Sequence, residues 1–279
     1  MKINNLNEMA KSIGQFDQAV KTQIFYGNEQ NPIPIKKWVG IYNMRTEKLV
    51  QVAHKNYQII SHNDVCQAVV ESLGAIGMDV WGVIKTKNNG NQLKADLLLK
   101  GVDKIDDGKE GVQLGIRIMN SYDKTTSFRL ELFAYRYVCQ NGMALGNVFN
   151  DIRKITFHSG VKEKNLEVIR QTTNDFVKLA IQSSKKLQEK IRLAMNELFE
   201  IKSIIEIMER FGIAKKHQKQ ILMRLEGKTN VTKWDVYNAV TNYATHGKLK
   251  DSIETHLEGV SQKLLKNNAA QLKVLYCEE

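Results

Sequence analysis

Apolar positions follow two different rhythms along this chain. Between residues 37 and 138 they come in short alternating or continuous blocks separated by turn residues, and from about residue 161 to 208 they recur at three- and four-residue steps. A period of two marks strands and a period near 3.6 marks helices, so the pattern predicts a sheet-bearing first half and a helical second half. Residues 5–27 predict an N-terminal helix that leads into a connector holding Pro32 and Pro34. Residues 37–43 and 48–53 predict a β-hairpin across residues 44–47. Residues 57–60 predict a short strand. Ser61, with Asp64 three residues on, predicts a capped helix through Val65, Ala68, Val69, Ser72 and Leu73 to Gly74 or Gly77. Strands at 80–86 and 93–99 flank Asn88-Asn89-Gly90, a strong hairpin turn signal. Residues 112–119 and 127–138 read as two more strands, and residues 142–157 as a mixed segment that leaves the sheet.

In the second half, Val168, Ile169, Phe176, Leu179, Ala180, Leu187, Ile191, Ala194 and Leu198 share a helical stripe. One very long helix, or two with a kink, would produce it, ending at Gly212. Shorter helices follow near 215–225, 232–245 and 250–267, with Thr232 as the N-cap of the second. The fold class is therefore α+β: an N-terminal antiparallel sheet with a packed helix, then an all-helical C-terminal half. The expected domains are residues 1–158 and 159–279, divided near His158-Ser159-Gly160, with the helical part suited to oligomerisation.

Composition narrows the function classes. The 279 residues suffice for one large or two modest cores, and no apolar run approaches the length of a membrane span. The first twenty residues lack the apolar core of a signal peptide. Cys66, Cys139 and Cys277 are odd in number and far apart, which argues against a disulfide framework and for a reducing, intracellular setting. The net charge of +11 favours polyanionic partners, nucleic acid first. No run of five basic residues exists, so any patch must be assembled by folding.

Motifs exclude more than they assign. No phosphate-binding Gly-rich loop precedes a helix, and none of the six histidines has zinc-site spacing, so no cofactor, metal or catalytic residue is assigned. Cys139 beside Asn141 reads as a nucleophile only if a histidine lowers its pKa, and otherwise as a small buried hydrophobe; Cys66 falls on an apolar helix face. Asp96, Asp123 and Glu131 are the carboxylates that a metal-dependent nuclease would use. The richest stretch runs from residue 117 to 146. Asn120, Ser121, Asp123 and Ser127 crowd its turn, and Arg129 and Arg136 interrupt an apolar strand. Arg117, Lys124, Arg129, Arg136, Arg153 and Lys154 would hold phosphates, while Asn120, Tyr122 and Tyr135 would contact or stack bases. The same residue types also suit a hairpin whose aromatics pack the core and whose arginines pair with Glu131 or Asp123. Downstream, Trp234, Val236, Tyr237, Val240, Thr241 and Tyr243 occupy several faces of one short helix, so most must pack; Asn238 and His246 are its polar candidates.

Asn120-Ser-Tyr-Asp123, then Arg129, then Val138-Cys-Gln-Asn-Gly142, followed far downstream by the segment from Trp234 to His246, resemble the phage/plasmid-like proteins of domain of unknown function 932. The resemblance runs from about Trp38 to His246. It implies a cytoplasmic protein of a mobile genetic element and names no activity. The order strand, helix, then antiparallel strands over residues 57–138 is also similar to the core of single-strand annealing recombinases, which form rings or filaments and pair complementary strands without ATP. That likeness rests on element order. The expectation is a single-stranded nucleic-acid-binding protein, DNA before RNA, self-associating and without a membrane partner, with annealing as its activity. The alternatives are a protein-interaction factor, such as an inhibitor of host defence, and a metal-dependent nuclease.

Overall fold

The structure is a computed structural model; it describes residues 1–108, 111–136, 141–144, 153–156, 162–268 and 271–272. Of residues 136, 141–144, 153–156 and 162–163 it describes the backbone alone. The element order is β1 (Lys2–Ile3), α1 (Leu6–Ser12), β2 (Ala19–Tyr26), β3 (Ile33–Asn43), β4 (Lys48–His54), α2 (His62–Ala75), β5 (Val80–Lys87), β6 (Gln92–Leu99), β7 (Val112–Ser121), β8 (Phe128–Arg136), β9 (Asn141–Ala144), β10 (Arg153–Thr156), α3 (Lys162–Asn196), α4 (Ile201–Arg210), α5 (Lys215–Met223), α6 (Lys233–His246) and α7 (Asp251–Lys266). This is an α+β fold with antiparallel sheets first and helices last. Among the described residues no helix is long and apolar enough to cross a membrane.

Two sheets form. A seven-stranded sheet runs in the order β1-β5-β6-β7-β8-β10, with β9 also on β8, and a separate three-stranded sheet runs β2-β3-β4. β10 pairs one stretch of β8, with Arg153 opposite Glu131, and β9 pairs the next, with Phe133 opposite Ala144. Residues expected to leave the sheet, 142–144 and 153–156, therefore extend it: four-residue strands carry too short an alternation to be read.

Two compact units emerge, one of residues 1–101, 116–131 and 153–178, the other of residues 102–115, 132–152 and 179–279. Strands β7 and β8 and helix α3 each contribute to both, so the division follows no single cut in sequence, and the expected one at 158–160 lies outside the described residues.

Local chemistry explains most boundaries. α2 begins with the expected capping box: the Ser61 hydroxyl accepts from the Asp64 amide at 3.0 Å and the Asp64 carboxylate accepts from the Ser61 amide at 3.3 Å. α6 has the same device in Thr232 and Asp235. Between β5 and β6, Asn88, Asn89 and Gly90 all take positive φ, at 50°, 53° and 83°, the left-handed geometry that Asn and Gly tolerate. The predicted helix over residues 5–27 is only partly present. α1 stops at Ser12, Gly14 turns at φ 95°, and Val20, Thr22, Ile24, Phe25 and Tyr26 form β2, in keeping with their β-branched and aromatic side chains. Residues 57–60 form no strand. The long helical segment divides into α3 and α4 at residues 197–200, where no glycine or proline stands. Tertiary pairing makes that break: the Phe199 amide donates to Val231 O and the Lys233 amide to Glu197 O, both at 2.8 Å.

In the second unit, α4 to α7 enclose one apolar cluster including Ile204, Ile207, Phe211, Ile221, Val240, Leu257 and Leu264. In the first, Ile41 and Ala53 of the small sheet bury against Tyr122, with Val39, Tyr57 and Ile59 around them.

Candidate nucleic-acid interface

The turn between β7 and β8 is a cross-linked joint. Asn120 is 0% exposed; its amide nitrogen donates to Ile60 O at 2.9 Å and meets Nδ1 of the buried His62 at 3.0 Å. The other ring nitrogen of His62 lies 3.1 Å from Gly90 O. These contacts are consistent with one tautomer: Nδ1 accepts and Nε2–H donates, which is neutral histidine. Tyr122, 1% exposed, stacks on that ring with centroids 4.1 Å apart; its hydroxyl accepts from the His62 amide at 2.8 Å and donates to Asp17 O at 3.0 Å. Asp123 accepts from Asn88, Gln92 and Thr125, tying the β5–β6 turn to the β7–β8 turn. Burial opposes its charge, but these donors outweigh burial and hold its carboxyl below the usual range. The Ser121 hydroxyl accepts from the Thr126 amide and donates to Thr126 O. Asn120, through its amide nitrogen, Ser121 and Asp123 thus bond across the turns and to the start of α2.

The arginines behave likewise. Arg117, 2% exposed, binds Asp96 through Nε at 2.6 Å and Nη2 at 3.2 Å. Burial disfavours the Asp96 carboxylate, yet Arg117, with Lys94 and Lys85 near, lowers its pKa overall. Arg129 contacts Glu131 at 3.5 Å. Arg117, Asn120 and Tyr122 therefore lie inside the protein, where no polyanion reaches them. Tyr135 is half-buried, and burial raises its phenol pKa. The backbones of Arg136, Arg153 and Lys154 lie in β8 and β10, and their side chains fall outside the described residues.

The nuclease carboxylates are similarly committed: Asp96 to Arg117, Asp123 to its donors, Glu131 to Arg129. Among the described residues no group of three or more His, Cys, Asp or Glu side chains is placed to hold a metal. The Cys66 thiol is buried, which pushes its pKa up to about 12 and leaves it a poor nucleophile. Cys139 lies outside the described residues.

Lys124, at φ 59° in the turn, is the exposed member of the expected set among the described side chains, and it leads to the surface the sequence reading missed. Its Nζ donates to Val52 O at 2.9 Å and sits 5.5 Å from the Tyr57 ring centre, beside the three-stranded sheet. One face of that sheet is the buried Ile41 and Ala53 side. The other presents Val20, Thr22, Trp38, Tyr42, Leu49, Val52 and His54, in register across β2, β3 and β4. Trp38 is 46% exposed, and Val20, Leu49 and Val52 are also exposed. Gly40 sits at the centre of this face, where a Cβ would crowd Leu49, Thr22 and Ile24, so the three strands pack their side chains over it. At the end of β2 and the start of β3, Phe25 and Tyr26 stand 54% and 57% exposed, beside Ile33. Lys21, Lys36, Lys37 and Lys48 of the strands, and Lys55 after them, are exposed. Residues 18–57 hold six basic and two acidic side chains, and Arg45 is the basic one paired with a carboxylate, that of Asp17. A signal was present: Trp38 and Tyr42 alternate with Val39 and Ile41, so the strand is apolar on both faces, and only one is covered.

The downstream motif packs α6 into the second unit. Trp234 and Tyr237 are buried and stack at 5.1 Å, Asn238 donates to Trp234 O at 2.6 Å, and His246 is exposed.

No curated protein and no solved structure matched the chain. One family model did, over residues 49–271, which takes in the β7–β8 turn and α6. That match covers most of the chain, and the chain belongs to the family described as domain of unknown function, DUF932.

Proposed function

We propose that this protein binds single-stranded nucleic acid, DNA before RNA, and that the outer face of the β2-β3-β4 sheet is its contact surface. One observation carries the reading: an uncovered sheet face and hairpin tip with Trp38, Phe25 and Tyr26 exposed, Lys36 on the Trp38 face by strand alternation and Lys21, Lys37 and Lys48 exposed on the same strands, none of them paired with a carboxylate among the described residues. Bases stack on exposed aromatic rings without regard to sequence, at about 1–3 kcal/mol each, while lysines neutralise phosphates. Of the expected cations, Lys124 stays at the small sheet, beside Lys36, Lys37 and Lys48 of its strands, while Arg117 is withdrawn into its pair with Asp96.

Strand annealing without ATP, in the cytoplasm and on behalf of a mobile genetic element, is the activity we assign to such binding. Self-association would serve it, and Ile181 and Leu193 of α3, both exposed, suit contact with a second copy. A protein partner is the second reading, favoured by the aliphatic part of the same face, Val20, Leu49 and Val52.

The test is binding of the purified chain to fluorescent single- and double-stranded DNA at two salt concentrations, with and without magnesium, followed by an annealing assay. Salt-sensitive preference for single strands, with the DNA left intact, supports the proposal. Absence of binding at low salt removes it and favours the protein partner. Cleavage that stops with a chelator would revive the nuclease.

A further inference from the structure

Helix α6 presents Trp234, Asn238 and Asn242 at four-residue steps, hence on one face. That face lines an open cavity of about 450 Å³ within the second unit, whose other walls include Asp107, Met195, Arg224 and Lys228. The volume falls within the range of small-molecule sites, roughly 300–1,000 Å³. Its walls are chemically mixed in an ordered way. Trp234, held by its stack on Tyr237, supplies an aromatic surface. Asn238, which donates to Trp234 O, Asn242, which accepts from Arg224, and the buried Asp107, which accepts from the Gly111 amide, add amide and carboxylate groups held in place along the wall.

The cationic side is built rather than incidental. Arg224 donates from Nε to Asn242 at 2.8 Å and from Nη1 to Gln220 O at 2.6 Å, and its guanidinium lies 4.8 Å from the Tyr243 ring centre. Three contacts fix the guanidinium, and Nη2 takes part in neither hydrogen bond. Lys228 stands at the rim, bound to Asp235 at 2.5 Å and still partly exposed. Asp235 is itself engaged by the Thr232 cap.

We infer that this cavity is a binding site for a mononucleotide, its base against Trp234 and the two asparagine amides, its phosphate at Arg224 and Lys228. Aromatic wall, amides held in place and a fixed cation together match the three parts of that ligand class. The inference is independent of the proposed single-strand surface, which lies in the other unit.

The experiment is isothermal titration of the full chain with AMP, GMP, CMP and UMP, and with inorganic phosphate as a probe of the cationic side alone. At least one mononucleotide should bind one-to-one and roughly tenfold or more tighter than phosphate. Arg224→Gln should weaken it roughly tenfold, the loss of one charge-assisted contact. Since Arg224 also braces α6, Lys228→Gln at the rim is the second variant; it should weaken binding severalfold with an unchanged melting temperature. Trp38→Ala with Lys36→Glu and Lys37→Glu should leave mononucleotide affinity as in the wild type. No heat with any of the four nucleotides at millimolar concentration, in protein of normal melting temperature, overturns the inference. So does binding indifferent to both cavity variants.

Discussion

Tyr122→Phe removes one oxygen atom from the interior and nothing else. The ring stays, so the stack on His62 and the packing against Ile41 and Ala53 remain, and no cavity opens. What disappears is a hydroxyl that accepts from the His62 amide at 2.8 Å and donates to Asp17 O at 3.0 Å. His62 is the first residue of α2, so its amide is one of the helix's N-terminal donors without an intrahelical partner, and His62 is buried. Orphaning a buried donor costs about 1–3 kcal/mol, and losing the bond to Asp17 O adds about 0.5–1.5 kcal/mol. The variant should therefore lose about 2–4 kcal/mol of unfolding free energy. Urea unfolding followed by circular dichroism reads this as a lower midpoint with an unchanged slope. Tyr42→Phe is the control: that hydroxyl makes no hydrogen bond among the described residues, and the expected change is under about 0.5 kcal/mol. A Tyr122→Phe midpoint equal to that of the control would refute the claim that the β7–β8 turn motif is a structural joint.

Asp96 offers a pH test. Its pKa is lowered in the folded state, so it contributes stability that is fully present above the unfolded carboxylate value and lost as pH falls through the lower, folded one. Melting temperature should fall below about pH 4, and Asp96→Asn should flatten that part of the profile. At neutral pH the same variant should cost about 2 kcal/mol, because Arg117 keeps its charge in a buried place; a flat wild-type acid limb contradicts both. Gly90→Ala places a Cβ against the Asp17 carboxylate at a residue of φ 83°. It should destabilise by more than about 2 kcal/mol in thermal unfolding, and a neutral effect would argue against this turn geometry. Thr232→Ala removes the α6 cap and should cost about 1 kcal/mol by the same measurement.

Legibility followed the range of each interaction. The capping box at Ser61, the N-cap at Thr232 and the turn at Asn88-Asn89-Gly90 were readable because the residues that make them are three or fewer apart. The place of the break between α3 and α4 was not, because its partners Val231 and Lys233 lie more than thirty residues downstream. β2 was hidden by a helix-like spacing in residues 5–20, and β9 and β10 by their shortness. The turn motif was visible as chemistry and ambiguous as function. Asn120, Tyr122 and Arg117 are the residue types that bind nucleic acid and also the types that satisfy a buried joint, and only the positions of His62, Asp17 and Asp96 decide between the two. Trp38 escaped notice for the opposite reason. An aromatic residue in a predicted strand is ordinarily core, and its exposure depends on what the rest of the chain leaves uncovered.

Single-strand binding by the small sheet is tested most directly with Trp38→Ala, Lys36→Glu and Lys37→Glu combined, by fluorescence anisotropy on a labelled single-stranded oligonucleotide. All three side chains are exposed, so the circular dichroism spectrum should not change. The account predicts at least a roughly tenfold weaker affinity and a shallower salt dependence than the wild type, with losses of stacking and phosphate contacts combined. Wild-type affinity and salt slope in the triple variant would contradict it.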